Sequence, residues 1–225
     1  MKTVLITGAN HGLGHALATG FLEAGWRVIA VAREMPELPP SDSLQIELCD
    51  LTDERTVPAL AARLQGTPID VLINNAARYD AKPNDEAVTT DFMQLTQLFQ
   101  VNTIAPKLLA DALVANLHAG VDKLVVTMSS GMGTYAAFDE YHAKHWAYSA
   151  SKAAVNYAMV SFAKCNPSFT SVLINPGWMQ TAIGGTDAPL QPAESAEAIM
   201  DLIIYNKDKL PNARLVDYAG KQMDF

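Results

Sequence analysis

The chain has 225 residues, 49% hydrophobic and 18% charged, with a formal charge of −8. This is the composition of one globular α/β domain, and the acidic balance argues against nucleic acid or an anionic membrane as a partner. No window reaches the roughly 18 apolar residues of a membrane span.

The apolar run at the N-terminus is too short for a signal peptide. The two cysteines, Cys49 and Cys165, lie in unrelated segments and read as free thiols of a reducing compartment. A cytoplasmic location is expected.

In chain order, Thr3–Thr7 is a β-branched run that stops at Gly8, and Gly12–Ala24 reads as a helix ended by Gly25. Arg27–Ala32 is the next strand. A Pro-rich turn, Met35 to Pro40, leads to Leu44–Leu48, and Thr52 is placed to cap a helix toward Gln65. Ile69–Ile73 is a strand closed by Asn74-Asn75, and one long helical stretch follows from Asp91 to about Leu117. Lys123–Met128 ends in Ser129-Ser130-Gly131, Ala147–Lys164 reads as a helix, and Ser171–Ile174 ends in Asn175-Pro176-Gly177. Ala193–Tyr205 is the last helix and Ala213–Val216 a last edge strand. Apolar runs alternating with helical periods predict βαβ units. Right-handed crossovers then give a single-domain, doubly wound parallel sheet of Rossmann type, with helices on both faces, over residues 1–225.

Ligands bind such sheets beyond the carboxyl ends of the strands, and every unusual cluster in this chain falls at one of those ends. After the first strand, Gly8-Ala9-Asn10-His11-Gly12-Leu13-Gly14 opens a helix. Glycines let the backbone approach a pyrophosphate, and the helix start offers free N–H groups; a tight turn without ligand would look similar. The second strand ends in Ala32-Arg33 without a carboxylate, which suits the 2′-phosphate of NADP(H). An ordinary surface Arg33 is the plain alternative, and Glu34 on a ribose hydroxyl would instead favour NAD(H). Asp50-Leu51 after the third strand would lie near an adenine, or Asp50 is a loop carboxylate near a helix cap. Asn75-Ala76-Ala77 after the fourth strand would line the adenosine, or is merely a turn.

Tyr148 and Lys152 stand four apart and share a helix face. A phenol near pKa 10 exchanges protons poorly around neutrality, and a neighbouring ammonium is expected to lower that value. By itself the spacing also fits a solvated helix face. The Ser130 hydroxyl lies at the ligand edge, and Asn102 sits inside a long helix where Asn has little propensity.

Taken in order, Thr-Gly-x-x-x-Gly-x-Gly, Asn-Asn-Ala, Asn102, Ser130, Tyr-x-x-x-Lys and Pro-Gly resemble the short-chain dehydrogenase/reductase family over nearly the whole chain. The C-terminal third, from Asn175 to Thr181, then Gly184-Gly185 and Ala188 to Leu190, with Asp217-Tyr218-Ala219-Gly220, looks like the C-factor and sniffer-type carbonyl reductases. The resemblance implies an Asn102–Ser130–Tyr148–Lys152 tetrad. In it Tyr148 protonates a carbonyl oxygen as NADPH gives hydride, and Lys152 binds the nicotinamide ribose and tunes Tyr148. Ser130 orients the substrate, and Asn102 helps hold a relay water. Pro176, Gly177, Trp178 and Thr181 would border the nicotinamide. The family implies a homodimer or homotetramer through the helix bearing Ala150, Ala153, Ala154 and Ala158, and C-factor relatives leave open a cofactor-binding signalling protein. Three positions depart from the pattern: Ala77 for Gly, Ala182 for Asp, and 18 positions from Ser130 to Tyr148, a longer gap than usual.

Two segments are expected to flank the nicotinamide: Gly131–Trp146, with Met132, Tyr135, Phe138, Tyr141 and Trp146, and Trp178–Leu190, with Met179, Ile183 and a Gly184-Gly185 hinge. Their aromatic and Met side chains suit an apolar or aromatic carbonyl substrate; alternatively they only anchor a long loop. Asp139, Glu140, His142 and His145 lie close in sequence without a Cys partner and read as a hydrated loop, so no metal is expected.

Overall fold

A computed structural model describes residues 1–79, 91–136 and 138–225. The strands are β1 (Thr3–Thr7), β2 (Arg27–Ala32), β3 (Leu44–Leu48), β4 (Val71–Asn74), β5 (Leu124–Met128), β6 (Thr170–Asn175), β7 (Leu215–Asp217) and β8 (Gln222–Met223). They form one sheet in the order β3-β2-β1-β4-β5-β6-β7-β8, parallel except for the β7–β8 pair. The order reverses between β1 and β4, which places the topological switch point, and with it the ligand crevice, beyond those two strands.

Alternation along the buried strands builds two cores. Val4, Ile6, Val28, Ala30, Val126 and Ile174 face one side, against α1 (Gly12–Glu23) and α8 (Pro192–Tyr205), with Phe21 and Ile199. Leu5, Ile29, Leu72, Val125 and Leu173 face the other. There they meet α2 (Thr56–Arg63), α4 (Ala105–Ala112), α5 (Val114–Ala119) and α7 (Trp146–Cys165), through Leu60, Leu109, Leu117 and Phe162. No described helix is long and apolar enough to cross a membrane.

The long helix expected from Asp91 is broken into pieces. It comprises α3 (Phe92–Phe99), a π-helical turn at Gln100–Ile104, then α4 and α5. Asp91 caps α3 by accepting the Gln94 N–H at 2.9 Å. Thr52 is not a helix cap: it donates to Asp50 Oδ1, and α2 begins only at Thr56. The last parallel strand starts at Leu215 rather than Ala213, because Ala213 has φ +58°, outside any strand conformation. The segment before α7, read as a loop, holds a 3₁₀ turn at Gly131–Gly133 and a short helix α6 (Glu140–Lys144); residue 137 lies outside the described residues.

Candidate active site

The β1–α1 turn is tight. Gly8 has φ +68°, and a Cβ on Gly14 would fall 2.1 Å from the Gly8 carbonyl oxygen, so no larger residue fits there. His11 starts α1 without a side-chain cap, which leaves the first-turn N–H groups of the helix to a ligand. Asn75 holds this turn from the neighbouring strand: its Nδ2 donates to Thr7 O at 2.9 Å and Gly8 O at 3.3 Å. The Asn75 and Ala76 N–H groups both donate to Thr7 Oγ1 at 3.0 Å. The Asn75 side chain is thus engaged with the glycine turn rather than directed to an adenosine. Across the crevice, Thr181 Cγ2 would lie 3.3 Å from a Cβ on Gly12, so the loop after β6 reaches the start of α1.

The polar groups expected around an adenosine are unevenly placed. Arg33 follows the last residue of β2, its side chain 66% exposed and 3.8 Å from the Glu34 carboxylate, and its guanidinium is accessible to a phosphate. Asp50 Oδ1 is taken by the Thr52 N–H at 2.9 Å and the Thr52 hydroxyl at 2.8 Å, so this carboxylate serves its own turn. Leu51, Ala76 and Ala77 are half-buried beside the same edge. An uncapped helix start behind a glycine turn, with an exposed guanidinium just past β2, fits a phosphorylated dinucleotide.

On α7, Tyr148 and Lys152 lie one turn apart. Lys152 is 2% exposed, and its Nζ donates to Met128 O at 2.8 Å, 5.7 Å from the Tyr148 ring centre. Ser130, two residues past the end of β5, is close enough to Tyr148 to draw its phenol down. Burial pushes the Tyr148 phenol up to about 12, against the opposing pull of Ser130. Burial brings Lys152 down to about 8. The expectation of a lowered phenol is therefore corrected: desolvation is the largest cause at Tyr148 and the sole cause at Lys152. The result is still a protonated phenol at neutral pH, as a proton donor requires.

Asn102 occupies the π-helical turn, fully buried. Its Oδ1 accepts the Arg78 N–H at 2.7 Å, while its Nδ2 donates to Arg78 O at 2.9 Å and Ser151 Oγ at 3.0 Å. With both N–H donors used, the side chain ties the β4 exit to α7. The π-turn is what aims Asn102 at both partners, and such turns recur at functional sites.

Among known proteins, the profile described as short chain dehydrogenase matches residues 2–189. The chain belongs to the short-chain dehydrogenase family. Its relatives include C-signal of Myxococcus xanthus, 32% identical over 167 residues, covering 73% of this chain and 98% of that protein. Among solved structures it is similar to carbonyl reductase Sniffer of D. melanogaster, at TM-score 0.87 and 26% identity over the whole of both chains. It is also similar to a carbonyl reductase from Pseudomonas aeruginosa PAO1 in complex with NADP, at TM-score 0.80 and 34% identity over the whole of both chains.

This short-chain dehydrogenase carries an aromatic wall that its motifs did not reveal. Tyr79, five residues past the end of β4, meets the Tyr148 ring edge-on at 4.9 Å and 90°. Its hydroxyl lies 2.9 Å from His145 Nδ1, and the Tyr141 ring lies tilted against His145 at 4.3 Å between ring centres. Burial raises the Tyr79 phenol and lowers the His145 imidazole, with Lys144 adding to the latter. The long gap between Ser130 and Tyr148 supplies α6, which brings Tyr141 and His145 to this wall. The usable signal was position: Tyr79 follows the same strand end as Asn75. On the other side, Trp178 is 57% exposed and its indole N–H donates to Gly184 O at 2.7 Å. Gln180 N donates to Leu190 O at 2.9 Å, closing residues 178–190 into a loop. Pro176 O accepts the Ser195 hydroxyl at 2.7 Å, anchoring that loop to α8. His142 pairs with Asp139, and no three His, Cys, Asp or Glu side chains gather as a metal site among the described residues.

Proposed function

We propose that this dehydrogenase reduces a carbonyl to an alcohol with NADP(H), using Tyr148 as proton donor. The observation that carries this reading is the convergence of Tyr148, Lys152 and the Ser130 hydroxyl beside an uncapped, glycine-lined helix start. The names of the Sniffer and Pseudomonas neighbours, and the NADP in the latter, support it. Gly8, Asn10, His11, Gly12, Leu13 and Gly14 would hold the pyrophosphate, Arg33 the 2′-phosphate, and Pro176, Gly177, Trp178 and Thr181 the nicotinamide side. Asp50, Leu51, Ala76 and Ala77 would border the adenosine.

When bound, the reduced nicotinamide supplies the hydride that adds to the carbonyl carbon. Ser130 orients the carbonyl oxygen, and Tyr148 passes its phenolic proton to that oxygen, so the product leaves as the alcohol. Lys152, buried against Met128 O, stabilises the resulting phenolate, which regains its proton from solvent. The exposed aromatics Tyr135, Phe138, Tyr141 and Trp178 suit an apolar or aromatic carbonyl.

The chain would act as one cytoplasmic cofactor-binding domain and pair as a homodimer or homotetramer, with Ile104, Leu108 and Tyr157 exposed on the α4–α7 side. The likeness to C-signal favours a second reading, a cofactor-binding signalling protein; the assembled Ser130–Tyr148–Lys152 group favours turnover. NADPH oxidation over a panel of aldehydes, ketones and quinones tests the choice. Tyr148→Phe should cut kcat by roughly 10²–10⁴-fold with NADPH affinity kept. Near-native turnover in that variant refutes the mechanism.

A further inference from the structure

Tyr148 and Lys152 continue as a row on α7: Asn156 stands one further turn along, 3% exposed. A buried amide is costly unless its polar atoms are paired, and Asn156 finds its partners on one turn. Its Oδ1 accepts from Ser129 Oγ at 2.5 Å, and its Nδ2 donates to Gly133 O at 3.1 Å. Those two contacts hold both ends of the Ser129–Gly133 turn, and Ser130 lies between them.

The rest of the turn is also pressed onto α7. A Cβ on Gly133 would stand 2.8 Å from the Lys152 backbone carbon and Cβ, so the turn rests directly on the catalytic helix. Lys152 Nζ holds Met128 O, one residue before Ser129. Inside the turn, Ser130 Oγ accepts the Met132 N–H at 3.1 Å. Val155 and Met159, the apolar neighbours of Asn156 on the helix, are fully buried in the second core. A leucine at 156 would share that environment without gripping the turn.

We infer that Asn156 is a positioning residue that sets the Ser130 hydroxyl against Tyr148 by clamping both ends of the turn that carries it. The inference rests on the reductase reading for its effect on turnover, but the clamp has a signature of its own. The ζ-carbon resonance of labelled Tyr148, assigned by its loss in Tyr148→Phe, reports the phenol's hydrogen bond without any substrate.

The full-length Asn156→Leu and Asn156→Ala variants are compared with Ser130→Ala; the near-isosteric leucine keeps the core filled should the alanine variant fail to fold. In Asn156→Leu the Tyr148 resonance should move in the same direction as in Ser130→Ala and by a similar amount. The double variant should move it no further. kcat should fall about tenfold, the scale of one weakened hydrogen bond at the reacting atoms, with KM for NADPH unchanged. A folded Asn156→Leu variant whose Tyr148 resonance and kcat match those of the wild type overturns the inference, because Asn156 would then only stabilise the fold. A moved resonance in a protein that turns over no carbonyl leaves the clamp standing and removes the reductase reading instead.

Discussion

Replacing Lys152 by methionine should make the ligand-free protein more stable at neutral pH while abolishing its turnover. Lys152 is 2% exposed, and burial lowers its pKa from 10.5 to about 8. Between about pH 8 and 10.5 the unfolded chain therefore binds a proton at Lys152 that the folded protein does not, so stability rises with pH across that window. At roughly 1.36 kcal/mol per pKa unit, holding the ammonium inside the fold at pH 7 costs about 3 kcal/mol. Lys152→Met removes that cost and also forfeits the hydrogen bond to Met128 O, worth about 1 kcal/mol. The net gain at pH 7 is about 2 kcal/mol, or about 4–8 °C in Tm for a chain of this size. Above pH 10.5 the wild type should become the more stable by about 1 kcal/mol, so the two curves cross. The assay is Tm by calorimetry across the alkaline range for both proteins, and subtraction cancels the other titrating groups. Parallel curves would show that Lys152 is not desolvated in the folded protein and would refute the reasoning.

Arg33→Ala should weaken NADPH about tenfold or more and leave NADH nearly unchanged, since only the 2′-phosphate loses its charge-assisted partner; equal losses in a fluorescence titration would show that Arg33 does not read that phosphate. Trp178→Ala removes the indole N–H bond to Gly184 O and should raise KM for bulky aromatic carbonyls more than for small aldehydes; a uniform change would assign residues 178–190 no part in substrate choice. Phe162 is fully buried in the core beneath α7, so Phe162→Ala should cost about 3–5 kcal/mol in denaturant unfolding, and a loss below about 1 kcal/mol would mean that this core closes over the gap.

Local sequence was enough for the first six strands, though not for the antiparallel edge strand β8. Strands buried on both faces are continuous apolar runs, helices carry their own period, and Gly8, Gly14 and Gly25 mark turns through a conformation or a clearance that only glycine permits. That is why β1 to β6, α1, α7 and α8 were legible to within two residues, and why the intervals between Ser130, Tyr148 and Lys152 pointed to one sheet edge. The break at Gln100–Ile104 was missed, although Pro106 just beyond it has no N–H to give the Asn102 carbonyl and so signals a disturbed helix. Asn102 is drawn to Arg78 and Ser151, 24 and 49 residues away, and the helix yields to those bonds. The strand expected at Ala213 failed for a related reason: its φ of +58° belongs to a turn stabilised by a distant bond, Ala213 N to Ser171 O at 2.8 Å.

The same division holds for the chemistry. Spacing alone put an ammonium near the Tyr148 phenol and so predicted a lowered pKa. Only the packed structure shows Lys152 fully buried and Tyr148 half-buried, and desolvation raises the phenol instead. Tyr79, His145 and Asn156 belong to the site through contacts that cross from one segment to another. Residue types and their intervals determined which groups meet at the sheet edge; burial and long-range hydrogen bonds, which no local pattern encodes, decided their protonation and who holds them in place.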